Sequence, residues 1–383
     1  MAETFFIKTF GCQQNVADSE RIESLYLSRG FEKAATQEEA DVLILNTCVI
    51  RDKAEERVYG LVKSLQERLG EQSPRIVVTG CLIGAAAREP SGKMMKRLTS
   101  RLSGAEFLPM EEVGFEHVPM RTPGKSASIV ISNGCNNYCA FCIVPFSRGK
   151  ERSRSFEEIL AEAKQVVAGG YEEIVLLGQN VNSYGADFLM EKIKEGEEYV
   201  LPTGKRVKPV MVKHLNRHRI PTLFPYLLES IAEIPGVKKV SFISSNPWDF
   251  SSELIDVMAQ HKNIDRVLHL PVQSGSNDIL KRMNRWYTRE EYLELIDRIR
   301  VKVPEIVLTT DIIVGFPGET RKDFEESLDL VKRVDFAKTF IAWFSPRPGT
   351  AAAKGMADDI PIEEKQRRFH ELDAVAFKGK KAF

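Results

Sequence analysis

Along the first hundred residues, strand-sized apolar runs alternate with stretches where apolar side chains recur at helical spacing. Residues 4–10 form a β-rich run that stops at Gly11-Cys12. Ile22, Leu25 and Tyr26 then fall on one face of a helix, which Asp18 is expected to cap or open. Residues 42–45 read as a second strand ending at Asn46-Thr47-Cys48, and 75–79 as a third ending at Gly80-Cys81. Between them, Val58, Leu61, Val62 and Leu65 line one side of a helix over 52–69. This alternation predicts a parallel sheet, because parallel neighbours need crossover connections of that length.

Residues 105–125 show neither period and carry Pro109, Pro119, Pro123 and Gly124, which predicts a linker. A second series then begins, with strands expected at 128–132, 173–177, 237–243, 266–270, 306–314 and 336–344. Ser155 and Glu158 form an S-x-x-E capping box for a helix that runs to 168. Six strands with intervening helices fit an open, partial (β/α)6 TIM-like barrel, whose chemistry gathers at the C-terminal strand ends. The fold class is therefore α/β: an N-terminal open parallel domain over 1–104, the linker, a barrel domain over 126–366 and a tail over 367–383. Residues 186–220 interrupt the barrel rhythm and turn basic, with Lys205, Arg206, Lys208, Lys213, Arg217 and Arg219 beside His214 and His218. The stretch reads either as a solvated excursion or as an RNA-contacting arm.

The 54 basic and 54 acidic side chains cancel, so a nucleic-acid partner has to be held by local basic patches rather than a global field. The start, MAETFFIKTFGC, lacks a basic segment followed by an apolar one, and no apolar run is long enough to span a bilayer. The expected setting is the reducing cytoplasm, without a membrane partner. There cysteines serve metals or catalysis more often than disulfides.

The 6 cysteines fall into two sets of three. Cys135, Cys139 and Cys142 form a tight C-x3-C-x2-C run, whereas Cys12, Cys48 and Cys81 are dispersed. Disulfides, or buried small side chains, are the plain alternatives, and neither accounts for the tight run. Each dispersed cysteine follows a predicted strand, and parallel strands end at one common edge, where ligands bind in open α/β folds. Residues far apart in sequence can therefore converge there. Three thiolates hold three irons of a [4Fe–4S] cubane and leave the fourth open to a substrate, so two reactive clusters are expected rather than an electron carrier.

Residues 132–154, SNGCNNYCAFCIVPFSRGKERSR, place an aromatic, Phe141, before the last cysteine of the loop. In this the chain resembles the radical S-adenosylmethionine enzymes. TFGCQQNVADSE, NTCVIRDKAEERV and Gly80-Cys81 are similar to the N-terminal domain of the methylthiotransferases. LLGQNVNSYG, LPVQSGS, TTDIIVGFPGET and FSPRPGT are similar to their radical domain. The likeness covers residues 4–370. Cys12-Gln13-Gln14-Asn15, with Val49-Ile50-Arg51 and Ala54-Glu55 after Cys48, most resembles the branch that modifies N(6)-dimethylallyladenosine beside the tRNA anticodon. The family usually has Met where Gln14 stands, His at Asn246 and Gly at Trp286.

The resemblance implies that Cys135, Cys139 and Cys142 bind the cluster at which S-adenosylmethionine is cleaved to a 5′-deoxyadenosyl radical. Cys12, Cys48 and Cys81 would bind a second [4Fe–4S] cluster that holds the sulfur to be methylated and inserted at C2 of the adenine. Phe141, Gln179, Ser274, Asp311 and Gly315 are candidate contacts to S-adenosylmethionine, and Gly318 a turn or a close approach. Arg148, Lys150, Arg152 and Arg154 are candidate contacts to tRNA phosphate or to the cofactor carboxylate, with a solvated face as the plain alternative. No acid–base residue is expected, since an aromatic C–H has no useful acidity and a radical cofactor must do the work.

Expected partners are the tRNA substrate, an electron donor such as flavodoxin or ferredoxin, and a sulfur source, with the enzyme a monomer. The family usually continues into a small tRNA-gripping β-barrel, the TRAM domain, whereas this sequence stops at Phe383 after Lys378, Lys380 and Lys381, in a stretch read as a basic helical tail. The same chemistry on threonylcarbamoyladenosine or on a ribosomal-protein aspartate is the alternative. A third reading, from another class, is an iron–sulfur RNA-binding protein without catalysis.

Overall fold

A five-stranded parallel sheet is the frame of the first part of the chain. In this computed structural model, which describes residues 2–49, 52–70, 73–115, 117–121, 124–192, 196–214 and 218–377, the chain falls into two compact units. One comprises Met1–Gly124, Asn133–Asn136 and Ile143–Lys150, the other Lys125–Ser132, Asn137–Cys142 and Glu151–Phe383.

In the first unit the strands are β1 (Thr4–Thr9), β2 (Glu32–Lys33), β3 (Val42–Thr47), β4 (Arg75–Gly80) and β5 (Glu106–Leu108), in the order β2-β1-β3-β4-β5. Every neighbouring pair is parallel. All six residues of β3 are buried, as a central parallel strand covered on both faces requires. Leu43, Leu45 and Val78 face α2 (Asp52–Leu69), which contributes Val58, Val62 and Leu65. Ile44 and Val77 face the opposite way, toward Ile22, Leu25 and Tyr26 of α1 (Gln13–Ser28).

Two expectations are corrected here. Asp18 does not open α1: the helix begins at Gln13 with Cys12 as its N-cap residue, and Asp18 lies buried inside it. The first turns of α1 bury polar side chains against the strand ends, so the apolar period alone places the helix start too late. Nor is 105–125 a featureless linker, because Glu106–Leu108 pairs with β4 and Met110–Val113 is helical. A three-residue edge strand is too short to show an alternation.

The second unit contains six parallel strands whose chain order is their spatial order. β6 (Ser126–Val130), β7 (Glu173–Leu177) and β8 (Lys239–Ile243) form one group. β9 (Val267–His269), β10 (Val307–Val314) and β11 (Lys338–Trp343) form the next. A single parallel bridge, Val240 to Ile264, links the two. Ile129, Leu176, Val240, Leu268 and Leu308 point outward into one core with Phe156, Leu227, Ile296 and Val331 from the surrounding helices. This is the expected open barrel. The helix Phe156–Ala168 starts at the expected box: Glu158 N–H donates to Ser155 Oγ at 3.2 Å and Ser155 N–H to Glu158 Oε2 at 3.3 Å.

Within 186–222 the described residues form the helix Ala186–Lys192 and two antiparallel hairpins, Tyr199–Val200 with Arg206–Val207 and Val210–His214 with His218–Thr222. Val210, Val212 and Ile220 seat the second hairpin on Tyr226. Lys205 pairs with Glu229, Arg206 with Glu198 and Lys213 with Glu291, so much of the basic charge is answered locally. Arg217, Lys378, Lys380 and Lys381 lie outside the described residues. Among the described residues, no helix is long and apolar enough to cross a membrane.

Candidate metal centres

The three dispersed cysteines share one edge of the first sheet. β1, β3 and β4 are adjacent and in register, Thr9 opposite Asn46 and Thr47 opposite Gly80. Cys48 and Cys81 directly follow their strands, and Cys12 follows β1 after Phe10-Gly11. Two glycines allow the close approach. A Cβ on Gly11, whose φ is +136°, would lie 3.1 Å from Cys48 Cβ. A Cβ on Gly80, at φ +89°, would lie 2.5 Å from the Thr47 carbonyl oxygen. Cys12 is the N-cap residue of α1 and Cys81 the first residue of α3 (Cys81–Arg88). Helix N-termini favour the thiolate that metal binding requires.

A buried amide network ties these ends together. Asn15 Nδ2 donates to Asn46 Oδ1 and to the Thr47 carbonyl, both at 3.1 Å. Asn46 Nδ2 donates to the Asn15 carbonyl at 2.7 Å and to Ser19 Oγ at 2.9 Å. Burial pushes the Cys81 thiol pKa up; Arg148 pulls it back, and the neighbouring Cys48, Asp18 and Cys12 raise it further. A buried thiol among such neighbours stays neutral unless a cation replaces its proton, which is the setting a multi-iron cluster suits.

Arg148 is part of this site. Its Nη2 donates to Asp18 Oδ2 at 2.6 Å and its Nη1 to Asn133 Oδ1 at 2.9 Å. Gln14 Nε2 donates to the other Asp18 oxygen at 3.2 Å. Burial opposes the charge on Arg148, but the Asp18 carboxylate it hydrogen-bonds outweighs that and holds the guanidinium protonated. The segment carrying Arg148 is docked by Arg88, whose Nη1 donates to the Ser147 carbonyl at 2.8 Å.

The tight cysteine run passes through both units. In the first, Cys135 N–H donates to the Gly149 carbonyl at 3.2 Å. In the second, Cys142 N–H closes a turn on the Cys139 carbonyl at 2.9 Å, and Ala140 N–H donates to the Met283 carbonyl at 2.9 Å. Arg285 lies buried beside this turn. Its Nη1 donates to Cys139 Sγ at 3.4 Å, its Nη2 to the Pro271 carbonyl at 2.8 Å, and it stacks 4.6 Å from the Trp248 ring centroid. Burial lowers its pKa, yet Tyr287 and Cys139 more than compensate and keep it charged.

Beyond the ends of β6, β7 and β8, polar atoms are buried without a protein partner: Ser132 Oγ, Asn180 Oδ1, Ser245 Oγ and Asp249 Oδ1. Asn180 Nδ2 donates to Asp249 Oδ2 at 2.6 Å. Burial pushes Asp249 up to about 7 and Glu151 up to about 8, and Asp187 and Asp249 add to the rise at Glu151. Buried polar atoms left open at C-terminal strand ends fit a ligand rich in amino, carboxylate and hydroxyl groups, as S-adenosylmethionine is.

The sequence-selected residues divide clearly. Phe141 is half-buried against Ala140, Met283, Phe316 and Phe344. Gln179 is half-buried just past β7. Asp311, on β10, has His269 Nε2 at 3.4 Å from its carboxylate. Ser274 instead turns inward, fully buried, with Ser327 Oγ at 3.4 Å and the Ser276 N–H on its hydroxyl. Gly315 is required by packing: φ is +65°, and a Cβ would lie 2.4 Å from Lys365 Cγ. Gly318 faces Arg282 in the same way. Arg148 and Arg154 are not surface contacts for phosphate, since both are buried in ion pairs, Arg154 with Glu162. Lys150 and Arg152 are exposed. Asp18, Asn15, Asn46, Arg285 and Asp249 were missed from sequence. A polar cluster just after Cys12 is the one local signal that could have found the first two.

The second unit's strand order is that of a radical S-adenosylmethionine fold, and comparison bears this out. The radical S-adenosylmethionine methyltransferase TsrM from Kitasatospora setae, solved with cobalamin and a [4Fe-4S] cluster, aligns with a TM-score of 0.60 at 13% identity over 92% of this chain and 77% of that one. The cobalamin-dependent radical enzyme OxsB, solved with aqua-cobalamin and S-adenosylmethionine, aligns at 0.54 and 14% identity over 98% of this chain and 56% of that one. Residues 129–331 match the Radical SAM superfamily and residues 4–98 the uncharacterized protein family UPF0004. The tRNA-2-methylthio-N(6)-dimethylallyladenosine synthase of Carboxydothermus hydrogenoformans is 41% identical over 97% of this chain and 83% of its own length. That of Thermotoga petrophila is 39% identical over 96% and 80%. The chain belongs to the methylthiotransferase family of radical S-adenosylmethionine enzymes, whose cofactors are S-adenosylmethionine and [4Fe–4S] clusters.

Proposed function

We propose that this enzyme adds a methylthio group at C2 of N(6)-dimethylallyladenosine beside the tRNA anticodon. The observation that carries the reading is the 41% identity, over 97% of the chain, to a relative named for that product. In this reading Cys12, Cys48 and Cys81 hold one cluster, and Cys135, Cys139 and Cys142 hold the other. When bound, the clusters and S-adenosylmethionine supply the radical that takes hydrogen from the adenine and the methylated sulfur that replaces it.

The chain's own residues bind and orient. Asn180, Asp249, Ser132 and Ser245 offer buried polar atoms to the cofactor, with Gln179 and Asp311 as further contacts. Phe141 supplies an apolar flank, and Arg285 fixes Cys139. Of the four basic residues that follow the cysteine run, Lys150 and Arg152 are the exposed ones, placed to meet tRNA phosphate. A flavodoxin- or ferredoxin-type reductant and a sulfur source serve a monomeric, cytoplasmic enzyme.

Mass analysis of tRNA after anaerobic reaction tests this. Dimethylallyladenosine-containing tRNA should gain a methylthio group. Gain only on threonylcarbamoyladenosine, or only on a ribosomal-protein aspartate, would replace the substrate. No 5′-deoxyadenosine from any substrate would leave the iron–sulfur RNA-binding reading.

A further inference from the structure

Arg148 belongs to a run of basic residues that, from sequence, invites an RNA-binding role, yet its side chain is 5% exposed and that of its partner Asp18 is 3% exposed. The pair is bracketed on both sides. Asn133 accepts from Nη1 of Arg148, and Gln14 donates to the Asp18 oxygen that Arg148 does not use. Arg21 adds a second guanidinium 3.9 Å from Asp18. Placing an ion pair out of water opposes folding unless something else requires it, and apolar side chains of similar volume would stabilise such a site as well. What distinguishes the position is its surroundings. Asp18 belongs to the same helix face as Asn15, which bonds both Asn46 and the backbone just before Cys48, and Cys12 caps that helix. Ser147, the residue before Arg148, packs its carbonyl against Gly84 of the helix that Cys81 opens and accepts from Arg88 Nη1 at 2.8 Å.

We propose that Arg148 and Asp18 form a charge lever on the three-cysteine set Cys12, Cys48 and Cys81, with Arg148 favouring the electron-rich state of whatever those thiolates bind and Asp18 limiting that effect. The inference rests on the reading that these cysteines hold a [4Fe–4S] cluster. Cluster potentials respond to net charge and to hydrogen bonding around the sulfurs. A cluster gains one negative charge on reduction, so a cation nearby stabilises the reduced form and an anion destabilises it. Arg148 is thus a positioning and tuning residue, neither a ligand nor an RNA contact.

The two members of the pair make opposite predictions, which damage to the fold would not. The full chain carrying Cys135→Ala, Cys139→Ala and Cys142→Ala is reconstituted anaerobically, so that the remaining iron reports on the dispersed set alone. Its midpoint potential is read by dithionite titration with electron paramagnetic resonance. On that background Arg148→Gln should shift the midpoint to lower potential, Asp18→Asn to higher potential, and Arg148→Lys should stay near the parent. If Arg148→Gln loses its iron, a raised potential in Asp18→Asn still supports the lever. Iron retained with no shift in Asp18→Asn, or shifts of the same sign in both variants, overturns the lever while leaving the cluster assignment intact. Absence of iron from the triple-alanine background overturns the assignment and the lever together.

Discussion

The Arg285 guanidinium donates to the Cys139 sulfur at 3.4 Å while resting on the face of Trp248. Its position is over-determined, because Nη2 is held by the Pro271 carbonyl at 2.8 Å and Nη1 also meets Asn246 Oδ1 at 3.3 Å. Arg285→Ala removes a charge-assisted donor from a cysteine of the tight run and leaves a void beneath Trp248. It should lower 5′-deoxyadenosine formation at least about tenfold and cost roughly 2–4 kcal/mol of stability. Arg285→Lys, which keeps the charge but not the fork, should recover part of the stability and less of the turnover. Anaerobic product assay alongside denaturant unfolding separates the two effects. Unchanged turnover in Arg285→Ala would remove the residue from the site.

Iron content tests the two cysteine sets separately. The reconstituted wild type should hold about eight irons per chain, falling to about four when either triplet is replaced by alanine, by the cubane stoichiometry. The dispersed-set variant should still cleave S-adenosylmethionine, whereas the tight-run variant should not. Equal iron in wild type and either variant would refute that triplet's assignment.

Local chemistry was legible in the sequence; long-range partnership was not. The cysteines could be placed because a strand's end is a local event and parallel strands end together. The Ser155–Glu158 box was equally visible, since both partners lie within one helical turn. Arg148 looked like its basic neighbours because its partner, Asp18, is remote in the chain. Asp18 in turn looked like a helix start, because aspartate is common there and its burial depends on the strand ends beside it. Ser274 and Gly315 stood in motif segments, yet Ser274 turns to Ser327 and Gly315 makes room for Lys365. Motif identity points to a neighbourhood, whereas the direction of a side chain is fixed by packing.

Gly80 should tolerate no side chain. A Cβ there would lie 2.4 Å from Asn46 Oδ1 and 2.5 Å from the Thr47 carbonyl, at a φ of +89°. Gly80→Ala has to move the ends of β3 and β4, and with them Cys48 and Cys81. A cost of roughly 3 kcal/mol or more is expected, together with loss of the iron assigned to the dispersed set. Gly30→Ala is the control: its φ is +86° but nothing lies within 4 Å, so only the backbone strain of about 1 kcal/mol remains.

The basic run after the cysteines should split by burial. Lys150→Ala and Arg152→Ala should weaken tRNA binding and each lower the slope of log affinity against log salt by about one. Arg154→Ala should leave the slope unchanged and instead destabilise the fold by roughly 3–5 kcal/mol, since it strands Glu162 uncompensated. Filter binding across a salt series, with unfolding measured in parallel, distinguishes the classes. A slope change for Arg154→Ala with normal stability would return it to the RNA-binding set.

Glu151 gives the second unit a pH dependence of definite sign. Burial holds its carboxyl protonated up to about 8, while an exposed glutamate ionises near pH ~4.3. Between those values the folded state binds a proton that the unfolded state has released. The contribution to stability is therefore fully present below about pH 4, declines as pH rises, and is lost above about 8, at about 1.4 kcal/mol per pH unit within the window. Asp249, held up to about 7 by burial, declines over the lower part of the same range. Glu151→Gln keeps an acceptor for the Ser183 hydroxyl, which donates to Glu151 at 2.7 Å in the wild type, and removes the titration. Its Tm should approach or exceed that of the wild type at pH 8.5 and compare less favourably at pH 5.5. A difference between the two proteins that stays constant across those pH values would show that Glu151 does not carry the proton in the folded state.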